Sequence, residues 1–425
     1  MRLTRREISK HNNRQSCWVA IHGAVYDVTD FLNSHPGGAN VVLHCAGKDA
    51  TDVFDSVHSP ELLSETLPGS TLKGYIDAAE FDTSEETQNS TDNVQSDPDP
   101  GRSPPLQSLI NLHDFERVAQ SVPPKTWAYY SSGADDEIMG LAKLAHPDGE
   151  CALAAAAGKE GLIQVLANGS SMPIEQVMKS RTSPNQPIFQ QLYVNKDIQK
   201  SVETVRRAEK AGASAIWITV DSPVVGKREM DERLNSSVIT TDGNAEGQGV
   251  AKIMASSISP FIDWEILTWL RRLTDLPIVI KGIQCVEDAV LAYEHGVHGI
   301  VLSNHGGRSQ DTAQAPLLTL LEIRKFAPHL IGGKMQIFID GGIRRGTDIL
   351  KAIALGATAV GLGRPFLFSL CAGYGEKGVQ RMVEILRDEI EINMVFLGAS
   401  TLKDLRPEMV NTSRLERDLI ASVKL

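Results

Sequence analysis

Residues 277–308 read PIVIKGIQCVEDAVLAYEHGVHGIVLSNHGGR. Two apolar, β-branched runs, PIVIKGI and GIVLSNH, flank a helical pattern over 286–295. An unbroken apolar run is what a strand buried on both faces requires, and strand, crossover helix and strand together make a parallel unit. Each run ends in polar chemistry: Lys281 in the first, Ser303 and His305 in the second. The pattern repeats outward in both directions. Upstream lie LIQVLAN ending at Asn168, PIFQQLY ending at Tyr193 and AIWITVD ending at Asp221; downstream lie QIFIDGG ending at Gly342 and AVGLGR ending at Arg364.

Polar groups thus collect at the C-terminal ends of many strands: Gln191, Tyr193, Thr219, Asp221, Lys281, Ser303, His305, Asp340 and Arg364. A doubly wound sheet concentrates its chemistry at one switch point, whereas a (β/α)8 barrel spreads it over all its strand ends. The expected fold of this part, residues 106–425, is therefore an α/β TIM barrel. Seven strand signals are present where a closed barrel needs eight. Ile138-Met139-Gly140 joins the helical WAYYSSGADDE almost directly to KLAHPDGE, so the first strand is the one expected to be missing.

Composition restricts the rest. The chain has 425 residues, 42% of them hydrophobic and 22% charged, which is ordinary globular usage. Its net charge of −11 disfavours general nucleic-acid binding. No apolar run approaches a membrane span, and MRLTRREISK has no apolar core of a signal peptide. A cytoplasmic location is expected, or the mitochondrial intermembrane space if a presequence is missing from this chain. Five cysteines without CxxC spacing argue against a disulfide framework or a zinc cluster. Residues 82–105, DTSEETQNSTDNVQSDPDPGRSPP, hold one aliphatic residue, Val94, and no aromatic. Such a stretch buries too little apolar area to offset its ordering entropy and reads as a flexible acidic linker.

Residues 1–81 form a second, smaller domain. Strand-like alternation covers 17–21 and 24–28. His35 then stands in His-Pro-Gly-Gly, and His58 in Val-His-Ser-Pro. Two histidines on opposing short helices can clamp an iron from both faces, leaving it no open position and only electron exchange to perform. Asp49, Asp52, Asp55, Glu61 and Glu65 surround His58 in sequence. They read either as a solvated helix face or as an acidic rim that steers a basic partner.

In the barrel, IDGGIRRG (339–346) and GLGR (361–364) place paired glycines and Arg344 and Arg364 after consecutive strands, a pattern suited to an anion. His305 at a strand end can serve as a base near neutral pH, and Arg308 three residues on can fork a carboxylate. Asp221 is the natural acid to orient the imidazole. The adjacent Tyr129 and Tyr130 read, by themselves, as core packing.

Residues 3–77 resemble the cytochrome b5 family through Trp18-Val19, Tyr26-Asp27-Val28-Thr29, the His-Pro-Gly-Gly turn and the later His58. That resemblance implies haem b, its iron held by His35 and His58. Residues 109–137 and 141–408 resemble FMN-dependent α-hydroxy acid dehydrogenases and oxidases through WAYYSSGADDE, KLAHPDGE, QLYV, ITVDSP, GKRE, IVIKGI, LSNHGGR, IDGGIRRGTDILKA and GLGRPFL. The tandem is similar to the flavocytochrome b2 type of L-lactate dehydrogenase. The resemblance implies an oxidoreductase that takes two electrons from a 2-hydroxy acid, L-lactate foremost, into FMN and passes them through haem to cytochrome c or a similar basic acceptor.

It also assigns roles. His305 takes the substrate proton, supported by Asp221; Arg308 and Tyr129 hold the carboxylate; Tyr193 bonds the hydroxyl; and Arg228 is a second guanidinium nearby. Lys281 stabilises negative charge at the flavin N1–O2 edge. Gln191, Thr219 and Ser303 bond the flavin. Asp340, Gly341, Gly342, Ile343 and Arg344, with Gly363 and Arg364, hold the ribityl chain and phosphate. Ala167 replaces a residue that commonly carries a hydroxyl near the flavin. The family also implies a homotetramer. The missing strand supports a different reading: a haem-binding electron carrier or interaction protein whose barrel is flavin-free and inactive.

Overall fold

The structure is a computed structural model, and it describes residues 2–32, 35, 39–51, 54, 63, 66–76, 103–131, 141–224, 257–310, 312–417 and 419. The chain divides into two compact units, Met1–Ser96 and Asp97–Leu425.

In the first unit, strands β1 (Arg2–Leu3), β2 (Asn12–Asn13), β3 (Ser16–Ile21), β4 (Ala24–Asp27) and β5 (Leu72–Ile76) form one sheet in the order β1-β5-β4-β3-β2. Helices α1 (Arg5–Ile8) and α2 (Ala39–His44) accompany it. The period-2 alternation of β3 divides the core between two faces. Cys17, Val19 and Ile21 pack with Val28, Leu32, Ala46 and Ala50, while Ala20 joins Leu3, Ile8, Val25 and Ile76 on the other side.

The second unit begins with α3 (Leu112–Ala119), α4 (Pro124–Ser131) and α5 (Gly149–Glu160). Strands and helices then alternate: β6 (Gln164–Leu166), α6 (Ile174–Lys179), β7 (Ile188–Leu192), α7 (Ile198–Ala211), β8 (Ala215–Thr219), α8 (Glu265–Leu273), β9 (Ile278–Ile283), α9 (Val286–Glu294), β10 (Gly299–Leu302), α10 (Pro316–Phe326), β11 (Gln336–Ile339), α11 (Gly346–Leu355) and β12 (Ala359–Val360). Helices α12 (Arg364–Leu370) and α13 (Gly375–Leu397) close the series. All seven strand signals read from the sequence are strands. They pair in parallel and strictly in chain order, β12-β11-β10-β9-β8-β7-β6. Val165, Phe189, Trp217, Val279, Val301 and Phe338 form one cluster, each from a successive strand. The opposite face of the sheet packs on the helices through Ile188, Ile216, Ile218, Ile278, Ile280, Ile300, Leu302 and Ile337.

Among the described residues the sheet curls but does not close, β6 pairing with β7 alone and β12 with β11 alone. Between these two edges lies a cavity of about 370 Å³, lined by Gln164–Ala167, Phe189, Trp217, Phe338 and Ala359–Gly363. Among the described residues the buried indole Nε1 of Trp217 and Oε1 of Gln164 find no hydrogen-bond partner. The described residues thus form a curled, seven-stranded parallel half-barrel of the TIM type, with the opening where the strand count places it. Residues 82–102 of the expected linker lie outside the described residues. Its last three residues are held on the second unit: Ser103 Oγ donates to the carbonyl of Ala372 (2.8 Å), and Tyr374 OH donates to that of Pro104 (2.5 Å). Among the described residues no helix is long and apolar enough to cross a membrane.

Candidate active site

The C-terminal strand ends bring Asp221, Lys281, Ser303, His305, Tyr193 and Asp340 into one connected network. Asp221, just past β8, has a side chain with no exposure and divides its two oxygens. Oδ1 lies 2.7 Å from His305 Nδ1, and Oδ2 accepts from Lys281 Nζ at 3.3 Å. Lys281, buried on β9, also donates to Ser303 Oγ at 3.0 Å and lies 3.9 Å from Asp340 Oδ2. Burial alone would raise the Asp221 carboxyl, but the Lys281 ammonium and the His305 imidazole outweigh it and hold the group well below the usual carboxylate range.

His305 opens a 3-10 turn, His305–Gly307, with φ of +57°. A side chain in this left-handed region costs about 1 kcal/mol, although histidine tolerates it better than most residues. The turn is braced by its neighbours. The His305 amide donates to Ser303 Oγ (3.1 Å), and the Gly307 amide donates to Asn304 Oδ1 (3.2 Å). Nδ1 faces the carboxylate, and Nε2, on the other side of the ring, lies 3.3 Å from Tyr193 OH. The sequence reading passes over Asn304, although an Asn close ahead of paired glycines, here Asn304-His305-Gly306-Gly307, is a recognisable turn signal.

Gln191 and Thr219 are bonded to each other, Gln191 Nε2 donating to Thr219 Oγ1 at 3.0 Å. Gln191 Oε1 accepts from the Asn168 amide at 2.7 Å, next to the buried Ala167. After β11, Gly341 and Gly342 take φ of +88° and +78°, and a Cβ on Gly342 would meet only open space. Gly363 precedes α12, and the buried Arg364 donates to the carbonyl of Gly306 at 3.2 Å. Ile343 is buried beside the glycine pair. Arg344, expected on an anion, is paired with Glu116 of α3 at 2.8 Å. Arg308 is buried and donates to the carbonyl of Tyr130 at 2.9 Å. Tyr130 is the core member of the aromatic pair. The side chain of Tyr129, and the whole of Arg228, lie outside the described residues.

The donor set fits a flavin mononucleotide. The ammonium of Lys281, the Gln191–Thr219 pair and Ser303 suit the polar edge of the ring, and the open backbone at Gly342 suits an anionic tail. In the first unit the His35 amide donates to the carbonyl of Phe31 (3.1 Å), and the two rings meet edge to face at 5.8 Å. Phe31, Val42, Leu43, Phe54 and Leu63 are half-buried on the same cluster. An imidazole among apolar side chains fits a haem. His58 lies outside the described residues.

Residues 138–412 match the FMN-dependent dehydrogenase family, and residues 4–77 match the cytochrome b5-like haem/steroid-binding domain. The chain belongs to the FMN-dependent dehydrogenase family. It carries a cytochrome b5-like domain ahead of the dehydrogenase domain, and its cofactors are FMN and haem. It is 37% identical to the L-lactate dehydrogenase (cytochrome) of Wickerhamomyces anomalus, covering 99% of this chain and 82% of that protein. It is 35% identical to that of Saccharomyces cerevisiae, covering 96% and 80%. A solved flavocytochrome b2 double mutant with pyruvate bound aligns with TM-score 0.66 at 35% identity, over 76% of this chain and 91% of that one. The Wickerhamomyces alignment runs over 477 residues against a chain of 425, so this dehydrogenase lacks residues, inside the aligned region, that its relative has.

Proposed function

We propose that this dehydrogenase oxidises L-lactate to pyruvate and delivers the electrons singly to cytochrome c: one L-lactate and two ferricytochrome c give pyruvate, two ferrocytochrome c and two protons. The observation that carries this reading is the alignment of Asp221, His305 and Tyr193, with 2.7 Å on one side of the imidazole and 3.3 Å on the other. FMN supplies the two-electron acceptor and haem b the one-electron relay. The protein does the rest. Asp221 fixes the ring so that Nε2 faces the substrate, and its negative charge favours the imidazolium formed when Nε2 takes the proton. Tyr193 OH, beside that nitrogen, bonds the substrate oxygen. Arg308 and Tyr129 provide the carboxylate contacts, Arg308 as a planar fork, with Arg228 a second guanidinium nearby. Lys281 places a positive charge where the flavin ring gains electrons, and Gln191, Thr219 and Ser303 orient that ring. Asp340, Gly341, Gly342, Ile343, Gly363 and Arg364 would carry its ribityl phosphate, while Arg344 braces this segment through Glu116. His35 and His58 ligate the haem iron, and the acidic residues around His58 suit a basic acceptor.

The test is the spectrum and turnover of the purified chain. A Soret band, FMN released on acid treatment and lactate-dependent reduction of cytochrome c are expected. Replacing His305 by Gln should abolish turnover and leave haem binding intact; undiminished turnover would refute its role as base. The unclosed seam favours one second reading, a haem electron carrier with an inactive barrel. Haem without releasable FMN, and no cytochrome c reduction, would establish that reading instead. A homotetramer, as the family implies, would appear as four times the chain mass in light scattering.

A further inference from the structure

We propose that Gly282 is a positioning residue for the catalytic pair: its missing side chain creates the hollow that seats the Asp221 carboxylate against His305. Gly282 sits inside β9 with φ of +111°. The register between β9 and β10 slips here, Val301 facing Lys281 while Leu302 faces Ile283, so Gly282 is the extra residue of a bulge. The chain is pinned on either side of it. The carbonyl of Lys281 accepts from the Val220 amide (2.9 Å), and that of Ile283 accepts from the Ser303 amide (3.2 Å). The bulge therefore cannot move without disturbing both neighbouring strand ends, which carry Asp221 and His305.

A Cβ on Gly282 would lie 2.5 Å from Asp221 Cβ and 2.7 Å from both Asp221 Cγ and Asp221 N. These atoms belong to one residue and include backbone, so no flexible side-chain end can yield. Relief requires Asp221 to move by about 1 Å, since carbon atoms rest about 3.5–4 Å apart. Because the carboxylate serves His305 through one oxygen and Lys281 through the other, that movement degrades both contacts. The groups facing the pair are Lys281, Ser303 and Tyr193, with Asp340 beyond Lys281. None of them can replace the carboxylate at Nδ1. Glycine inside an apolar strand is the sequence signal for such close approach.

The inference rests on His305 being the base, but its test reads the ring directly. Gly282→Ala is compared with Gly356→Ala in the intact holoprotein. Gly356 has the same φ, +111°, and a Cβ there would be crowded by Ile331. The two variants thus share the backbone penalty and differ in what they push. The nitrogen-bound ring proton of His305 is assigned by its absence from a His305→Gln spectrum. Gly282→Ala should lose its far-downfield position and lower kcat about 100-fold, the scale for an ångström of misplacement at a reacting centre. Gly356→Ala should retain both. Spectra taken in an osmolyte that favours the compact state keep a destabilised variant readable. A Gly282→Ala protein with the ring signal and kcat intact overturns the proposal. So does one that stays unfolded in osmolyte while Gly356→Ala folds, because the glycine would then serve folding alone. If turnover survives in His305→Gln, the assignment of the base fails, while the ring signal still reports whether Gly282 seats Asp221.

Discussion

Arg308 donates through Nη1 to the main-chain carbonyl of Tyr130 at 2.9 Å, although 178 positions separate the two residues. Tyr130 in turn donates its phenol to the carbonyl of Leu141 at 3.0 Å. One buried tyrosine thus ties α4 to Leu141, ahead of α5, and fixes the arginine assigned to the substrate carboxylate. Lysine has no planar fork and cannot hold the carbonyl and a carboxylate together. Arg308→Lys is expected to raise KM and lower kcat/KM by about 10- to 100-fold, the loss of one charge-assisted hydrogen bond, measured by steady-state cytochrome c reduction. Tyr130→Phe removes the donor to Leu141 and should cost about 1–3 kcal/mol of stability, read from denaturant midpoints.

Asp221→Asn should lower kcat by about 10²- to 10⁴-fold, because an amide can settle the ring in the wrong tautomer and does not stabilise the imidazolium. The same change predicts a pH signature. The folded Asp221 carboxyl lies below its ordinary value of 3.8, because Lys281 and His305 together outweigh the cost of burial. A depressed carboxyl contributes stability in full above the unfolded value and loses it as pH falls toward the folded one. The stability gap between the parent protein and Asp221→Asn should therefore be widest at neutral pH and narrow below about pH 4. Urea melts at stepped pH would measure it. A gap that widens on acidification would contradict the assignment.

The strands and their polar ends are legible in the sequence because each strand is a continuous apolar run with its chemistry at one end. Even the open seam follows from counting those runs. The relations that tune the site are not legible, because they join distant segments. Nothing local in WAYYSS shows that the carbonyl of Tyr130 meets Arg308. Nothing in IDGGIRRG shows that Arg344 turns to Glu116 of α3. Gly282 carries a faint signal, since glycine weakens a strand and needs a reason to be there, but only the structure shows that the reason is Asp221. Likewise the polar composition of 82–105 reads as linker throughout, and only the structure shows that Ser103 and Pro104 near its end are bonded to Ala372 and Tyr374.

The packing of α12 against α13 gives a prediction independent of catalysis. Gly378 lies on α13, and a Cβ there would fall inside the contact radius of the Ser369 carbonyl oxygen and crowd Tyr374. A carbonyl at the end of α12 cannot withdraw as a side chain can. Gly378→Ala should therefore destabilise the second unit by about 1–3 kcal/mol despite alanine's better helix propensity. Calorimetry should show the flavin unit melting a few degrees earlier while the haem unit's transition stays in place.

The haem ligands separate the two halves of the reaction. His35 and His58 would hold the haem iron, and an iron held by two imidazoles would supply electron transfer alone. Replacing His58 by Ala would remove one of these ligands and should abolish the low-spin Soret spectrum. Cytochrome c reduction should fall at least about 100-fold, an order-of-magnitude expectation for a relay taken out of line. Lactate oxidation with a small artificial acceptor, which can reach the flavin directly, should persist at the parent rate. If both activities fall together, His58 serves the folding of the chain rather than the relay. If neither falls, electrons leave the flavin without passing through the haem.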